Sequence, residues 1–169
     1  MTIPHTVTLG GVTVGSACVI GYGIYWWFRE GHKAGALVPP ALSAAYGMLL
    51  ILSAGGLLGS LAGIVLWGGN IVGDGSLRYG VGGTTMDVTR AHQLVLDPGG
   101  HAVVVLLTVT LVCLWKFAKK LRSWKLAVGL VAGICLALSG TVAGAAAVPL
   151  GSGVNTMGLA FTKAVAPHE

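Results

Sequence analysis

The stretch SAGGLLGSLAG, residues 53–63, places Gly55, Gly59 and Gly63 four residues apart within one of the most apolar parts of the chain. Residues four apart lie on the same face of an α-helix. In a water-soluble helix, each glycine would cost about 1 kcal/mol relative to alanine. In a lipid bilayer, helices associate through close packing, and small residues at this spacing allow two backbones to approach each other. The stretch therefore indicates a tightly packed membrane helix.

The composition of the chain excludes an ordinary water-soluble domain. Charged residues make up 9% of the 169 residues and apolar residues 54%, whereas about 25% of the residues in typical soluble domains are charged. The formal net charge of +5 does not require a nucleic-acid partner, because the cytoplasmic loops of membrane proteins collect Lys and Arg.

Four segments are long and apolar enough to cross a hydrocarbon core, which takes about 20 helical residues. They cover residues 7–28, 40–67, 98–117 and 124–148. The second exceeds the minimum length, so it is expected to tilt or to extend beyond the membrane. Pro98 suits the start of a helix, and Pro149 is expected to end the fourth span. The predicted fold class is an all-α integral membrane protein with four transmembrane helices in a single membrane domain.

The distribution of charge predicts the orientation of these spans. The loops at 29–39 and 118–123 lie within or beside the basic sequences REGHK and KFAKKLRSWK, and four of the five acidic residues lie outside those two sequences. Both basic loops are cytoplasmic only if both termini are outside. We therefore expect two helical hairpins, N-out and C-out, with an extracytoplasmic loop at 68–97 and an extracytoplasmic tail at 149–169. The expected location is the plasma membrane of a bacterium, in a multi-pass arrangement.

Small residues four apart predict close packing of the first, second and fourth spans; in the first span they are Gly11 and Gly15, then Ala17 and Gly21. Glycines are the predicted helix-packing residues of the second and fourth spans. The third span has no glycine after its first turn, so we expect it at the periphery of the bundle. Packing within one chain and packing between copies both remain open as explanations for the glycine faces. The residues in question are Gly55, Gly59, Gly63, Gly129, Gly133, Gly140 and Gly144.

The basic sequence between the third and fourth spans is the second candidate feature. Each base near a membrane surface contributes about 1 kcal/mol of attraction to anionic lipid, so lipid headgroups are the expected partner. Contact with nucleic acid or an acidic protein is an alternative, although no base-reading motif accompanies the charges. The candidate residues are Lys116, Lys119, Lys120, Arg122 and Lys125.

The apolar spans carry no Asp, Glu, Lys, Arg or His in their middle parts. Such residues usually mark proton relays and ion-coupled transport, so the sequence argues against those functions. In the outer loop, Asp87, Arg90 and His92 are the polar candidates for a specific site, and residues 84–96 can form a short amphipathic helix. No metal motif matches the spacing of the histidines. We expect no cofactor, no metal and no enzymatic activity.

The helical hairpins, with their short basic loops REGHK and KFAKKLRSWK, resemble those of conjugative pilins. The chain also resembles the small multispan spread proteins of actinobacterial conjugative plasmids, and its Ala-, Gly- and Val-rich usage suits a high-GC genome. The resemblance to pilins implies helical polymers with basic loops facing a lumen and with lipids between subunits. The chain departs from the pilin pattern in its four predicted spans.

These features together predict a non-enzymatic membrane subunit. It would self-assemble through its glycine faces into a pore, a filament or a structural part of a transfer or secretion complex. One alternative is an accessory subunit of a respiratory or other membrane enzyme complex. Another is a small-molecule transporter or membrane enzyme with its site on the outer loop.

Overall fold

The computed structural model describes residues 6–53, 56–89, 96–117, 124–139 and 145–165. These residues form an all-helical structure. Within the described ranges, the β-structure is limited to two isolated bridges, Thr8 with Asp87 and Thr89 with Ser139.

The described residues contain six α-helices. Their bounds are α1, Leu9–Arg29; α2, Val38–Leu52; α3, Gly56–Gly75; α4, Pro98–Phe117; α5, Trp124–Ala137; and α6, Ala147–Val165. A 3₁₀ turn, Ala34–Ala36, precedes α2, and a π-helical stretch, Ser76–Val81, continues α3.

Within the described ranges, three helical stretches are long and apolar enough to cross a membrane. They are Leu9–Arg29, Ala34–Leu52 and Gly56–Val81. Two shorter apolar helices, Pro98–Cys113 and Trp124–Ala137, accompany them. This set of helices is consistent with the membrane-protein class that the composition predicts.

The segment predicted as the second span, residues 40–67, is divided in the structure. Helix α2 ends at Leu52, and Ser53 leaves the helical region with φ −78° and ψ 77°. Helix α3 begins at Gly56, whose φ of +77° lies in the left-handed region that glycine adopts without steric cost. The break escapes a hydropathy analysis because serine and glycine do not lower the apolar character of the segment enough to end it. Helix α3 then continues to Gly75, eight residues into the segment predicted as the outer loop.

The segment predicted as a tail, residues 149–169, contains most of α6. Pro149 lies in the first turn of this helix. A proline is tolerated there because the amide hydrogen that it lacks would have no partner within the helix. Helix α6 packs on α4 at a close crossing of Gly158 and Gly99, where a Cβ on either glycine would collide with the backbone of the other helix.

Helix α5 contacts α1, α2 and α3. It runs antiparallel to α1, because Gly15 lies against Leu136 near one end and Tyr25 lies against Trp124 at the other. It runs parallel to α2, since Gly129 meets Pro40 and Gly133 meets Ala44. The core between the helices is apolar and includes Leu49, Leu50, Ile51, Leu52, Leu66, Val104, Ile134, Cys135, Ala147 and Val154.

Helix α4 lies at the edge of the bundle, and most of its surface is exposed. Val105, Leu106, Val109 and Val112 are all more than half exposed, whereas Val104 is buried. This agrees with the peripheral position predicted from its lack of glycine after the first turn.

Candidate functional site

The glycines of α5 pack against the backbone of α2. A Cβ on Gly133 would collide with the carbonyl oxygen of Ala44, and one on Gly129 would collide with that of Pro40. From the other side, a Cβ on Gly47 would lie 2.6 Å from the carbonyl oxygen of Leu130. The two helices therefore approach so closely that only hydrogen fits at these positions. For Gly129 and Gly133, the packing partner belongs to the same chain.

The glycine face of α3 also turns inward. Gly59 and Gly63 are buried. Further along the same face, a Cβ on Gly69 would lie 2.8 Å from Cys135 Sγ, and one on Gly73 would collide with the backbone of Gly10 in α1. The predicted packing residues Gly55, Gly140 and Gly144 lie outside the described residues.

The contact of Gly10 with Gly73 and that of Gly99 with Gly158 were not singled out from the sequence. A signal for part of this existed, because the inward residues of α3 recur at three- and four-residue steps as far as Gly73. The predicted second span ended at Trp67, so Gly69 and Gly73 fell outside it and were not predicted as packing residues.

Several glycines of the helices remain open, and three of them lie in the middle or later parts of α1 and α3. Among the described residues, nothing lies within 4 Å of a Cβ placed on Gly21, Gly23 or Gly68. Gly21 follows Ala17 by four residues on the exposed side of α1, and Ala17 is itself exposed. This pair therefore forms an unoccupied small-residue surface on an apolar helix, which we call the α1 groove: Ala17 and Gly21.

The ends of the two predicted basic loops meet at one end of the bundle. Lys125 Nζ lies 2.5 Å from Glu30 Oε1, and the two side chains are 20% and 23% exposed. The hydrogen bond from Lys125 holds the pKa of the Glu30 carboxyl below its usual range. The ring of Trp124 packs edge-on against Tyr22 and Tyr25, at centroid distances of 5.9 and 5.0 Å. Two segments far apart in the sequence are thus fastened together here.

We call this end, defined by Arg29, Glu30, Lys33, Trp124 and Lys125, the basic end. Arg29 and Lys33 are exposed there. Lys116, in the last turn of α4, is exposed as well. The other predicted basic residues, Lys119, Lys120 and Arg122, lie outside the described residues.

A network of polar side chains joins α1 to α3 at the opposite end of α1. Asp74 Oδ1 accepts hydrogen bonds from Thr8 Oγ1 at 2.8 Å and from the Gly10 amide at 3.2 Å. Asn70 Oδ1 accepts one from the Thr8 amide at 3.2 Å, while its Nδ2 donates to the Thr6 carbonyl at 2.8 Å. These bonds anchor the start of α1 to the end of α3. Neither Asn70 nor Asp74 was a sequence candidate, because their partners lie more than 60 residues away along the chain.

Residues 84–89 are not helical, in contrast to the amphipathic helix predicted over 84–96. They run alongside the start of α1, where the Leu9 amide donates to the Met86 carbonyl and the Val88 amide donates to the Val7 carbonyl. Backbone pairing with a distant segment prevails here over the apolar periodicity. The remainder of the predicted helix, residues 90–95, lies outside the described residues.

Asp87 closes the turn of this segment. Its Oδ1 accepts hydrogen bonds from the amide and the hydroxyl of Thr89, which hold the pKa of the carboxyl below its usual range. Thr89 Oγ1 in turn accepts a hydrogen bond from the Val7 amide. These contacts give Asp87 a structural role. The other outer-loop candidates, Arg90 and His92, lie outside the described residues.

A polar cavity of about 190 Å³ lies beside this network, lined by Asp74, Gly75, Arg78, Tyr79 and Thr85. The Asp74 carboxylate is already engaged by Thr8 and Gly10. Within the described part of the chain, no three His, Cys, Asp or Glu side chains lie close enough together to hold a metal ion.

No protein-family model, curated protein or solved structure matches the chain. The resemblance to conjugative pilins therefore stays a prediction from architecture.

Proposed function

We propose that the chain is a non-enzymatic, multi-pass membrane subunit that works by assembling with copies of itself. The assembly would be a pore, a filament or a structural part of a transfer or secretion complex. The observation that carries this proposal is the α1 groove, Ala17 and Gly21: both residues are exposed, and within the described chain nothing lies within 4 Å of a Cβ placed on Gly21.

The other described glycine faces are poor candidates for such a contact. Gly59, Gly63, Gly129 and Gly133 are buried inside the single chain. Their role is to hold the bundle together, and the assembly contact is accordingly assigned to α1 instead of α3 or α5.

The surroundings of the α1 groove favour a protein partner. Ile20, Ile24 and Phe28 lie on the same side of α1 and are 62%, 56% and 79% exposed. Membrane helices associate where a small-residue groove lets backbones approach and larger side chains pack beside it. Two copies of α1 crossing at Gly21 would satisfy both conditions.

The proposed topology has four spans, both termini outside and the basic end in the cytoplasm. Although Ala34–Leu52 and Gly56–Val81 are each long enough to cross a membrane, the proposal counts α2 and the beginning of α3 as one interrupted second span. The salt bridge of Glu30 with Lys125 supports this arrangement, because it brings the two basic loops to one end of the bundle. Positive charges concentrated at one end favour the cytoplasmic side, where anionic lipid is the proposed partner.

The mass of the purified particle in mild detergent tests self-assembly. We expect a multiple of the 17.1 kDa chain, reduced to the monomer by Gly21→Leu. Gly68→Leu is the matched control: it is also an open glycine in an apolar helix, but it has no small residue four positions away.

A monomeric wild-type particle would contradict the proposal. A particle of defined mass containing other proteins and a single copy of this chain would instead favour the accessory-subunit alternative. Equal particle masses for the wild type and both variants would show that the α1 groove is not part of the contact between copies.

A further inference from the structure

An apolar groove of about 360 Å³ runs between α1, α2 and α5, on the side of α1 away from the Ala17 and Gly21 surface. Its size lies within the range of small-molecule sites, roughly 300 to 1,000 Å³. Three helices contribute to its lining, which includes Cys18, Tyr22, Gly23, Leu37, Ala44 and Val128. Val19, also in the lining, is 53% exposed and Leu37 is 37% exposed, so the groove opens onto the outer surface of the bundle.

The chemistry of the lining suits an aliphatic occupant. The phenol of Tyr22 is the main hydrogen-bonding group in it, and its hydroxyl already donates to the Ala36 carbonyl at 2.6 Å. A ligand with polar groups needs placed donors and acceptors to fix its orientation. Because the described lining provides little beyond apolar contact, a hydrocarbon chain fits it better than a polar molecule.

Two basic residues lie beyond the lining, toward the basic end of the bundle, and we call them the rim of the groove. Arg29 follows Tyr22 by seven residues on the same face of α1, about 10 Å further along the helix axis. Lys33 precedes Leu37 by four residues. Its backbone is held in place because its carbonyl oxygen accepts a hydrogen bond from Trp26 Nε1 at 3.0 Å. Among the described residues, Glu30 forms its salt bridge with Lys125, which leaves Arg29 and Lys33 outside that pair.

This charge pattern argues for an anionic occupant over a second copy of the chain. A symmetric contact between two copies at this rim would bring like charges together, which is unfavourable. A negatively charged headgroup has the opposite sign. The exposed ring of Trp27, 56% accessible, marks the level of the headgroups, since tryptophans concentrate at membrane–water interfaces.

We propose that this groove holds one acyl chain of an anionic phospholipid whose phosphate lies against Arg29 and Lys33. The inference rests on the membrane embedding in the proposed function but not on self-assembly. The proposed site binds one anionic lipid per chain, in addition to the general attraction between anionic lipid and bases near the membrane surface.

Native mass spectrometry of the full-length protein tests the site. The protein is released from detergent after equilibration with phosphatidylglycerol or with phosphatidylcholine of the same acyl chains. We expect the wild type to retain one phosphatidylglycerol per chain and to retain phosphatidylcholine much less. Gly23→Leu places a side chain into the groove, and nothing within 4 Å obstructs it, so this variant is expected to fold and to lose the bound lipid.

Two further variants separate the parts of the proposal. Gly68→Leu adds the same side chain outside the groove, and it should retain the lipid. Arg29→Gln and Lys33→Gln should each lower the preference for phosphatidylglycerol over phosphatidylcholine, by about five-fold.

Three results would overturn the proposal. Equal retention of both lipids by the wild type would indicate a non-specific lipid annulus. Retention of the lipid by Gly23→Leu would place it elsewhere. A lower particle mass for Gly23→Leu, with unchanged lipid retention, would show that another copy of the chain occupies the groove.

Discussion

At the scale of single residues, glycine has two different roles in this chain. Gly133 and Gly129 are required because the backbone of α2 occupies the space that a side chain would take. Gly21, Gly23 and Gly68 have free space around them. The sequence shows both groups as small residues in apolar helices, and only the packing separates them.

This difference predicts the effect of Gly133→Leu. The added side chain would collide with the backbone of Ala44, which cannot move without displacing α2. Overpacking of a well-packed interior costs about 1–3 kcal/mol, and a backbone obstacle puts this variant at the upper end. Thermal unfolding in detergent should therefore occur at a clearly lower temperature than for Gly68→Leu. Equal stability of the two variants would contradict the close contact of α2 and α5.

Asp87 predicts a pH dependence at the same scale. Its pKa in the folded protein is lower than its ordinary value of 3.8, so folding favours the ionised form. Its stabilising contribution is therefore present above pH 3.8, declines as the pH falls below that value, and is lost through the lowered pKa.

Amide hydrogen exchange at Leu9 and Val88 measures this effect, since both amides bond across the pairing of the 84–89 segment with the start of α1. Their protection should fall as the pH decreases below 3.8, after correction for the intrinsic exchange rate. Asp87→Asn should show weaker protection at neutral pH and a smaller change on acidification. An unchanged pH profile in Asp87→Asn would show that another group controls the pairing.

At the scale of helices, hydropathy predicted some boundaries and missed others. The start of α4 at Pro98 and that of α5 at Trp124 agree with the predicted spans, because a proline in one case and a basic, aromatic border in the other mark them locally. The break between α2 and α3 and the existence of α6 were not predicted. The break depends on the left-handed φ of Gly56, and the position of α6 depends on the close contact of Gly158 with Gly99. A hydropathy pattern contains neither.

The break between α2 and α3 leads to a prediction for Gly56. Its φ of +77° is unfavourable for any residue with a Cβ, by about 1–2 kcal/mol. We expect Gly56→Ala to lower the stability of the protein by about that amount. Gly68→Ala, in a regular helical position, should leave stability unchanged or raise it, since alanine is the better helix former. Greater stability of Gly56→Ala than of wild type would indicate that α2 and α3 form one continuous helix.

The candidate sites were predictable in the same uneven way. The concentration of bases around Lys116 and Lys125 is visible in the sequence. The pairing of Lys125 with Glu30 is not, because 95 residues separate them along the chain. The same holds for the bonds of Asp74 with Thr8 and Gly10, which arise only once α1 and α3 have packed together.

At the scale of the whole molecule, the proposed topology predicts which face of the membrane each end occupies. In a cysteine-free background, Lys33→Cys should react with a membrane-impermeant maleimide only after the cytoplasmic side is opened. Gly80→Cys, in the segment after α3, should react from outside in intact cells. Labelling of Lys33→Cys from outside would contradict the proposed orientation.

The central claim is that two copies of the chain meet across Ala17 and Gly21. Oxidative cross-linking in native membranes tests it most directly, with Cys18, Cys113 and Cys135 replaced by alanine. We expect Gly21→Cys to form a disulfide-linked dimer and Gly68→Cys to remain monomeric under the same conditions. The absence of a dimer at position 21, or equal cross-linking at both positions, would contradict the claim.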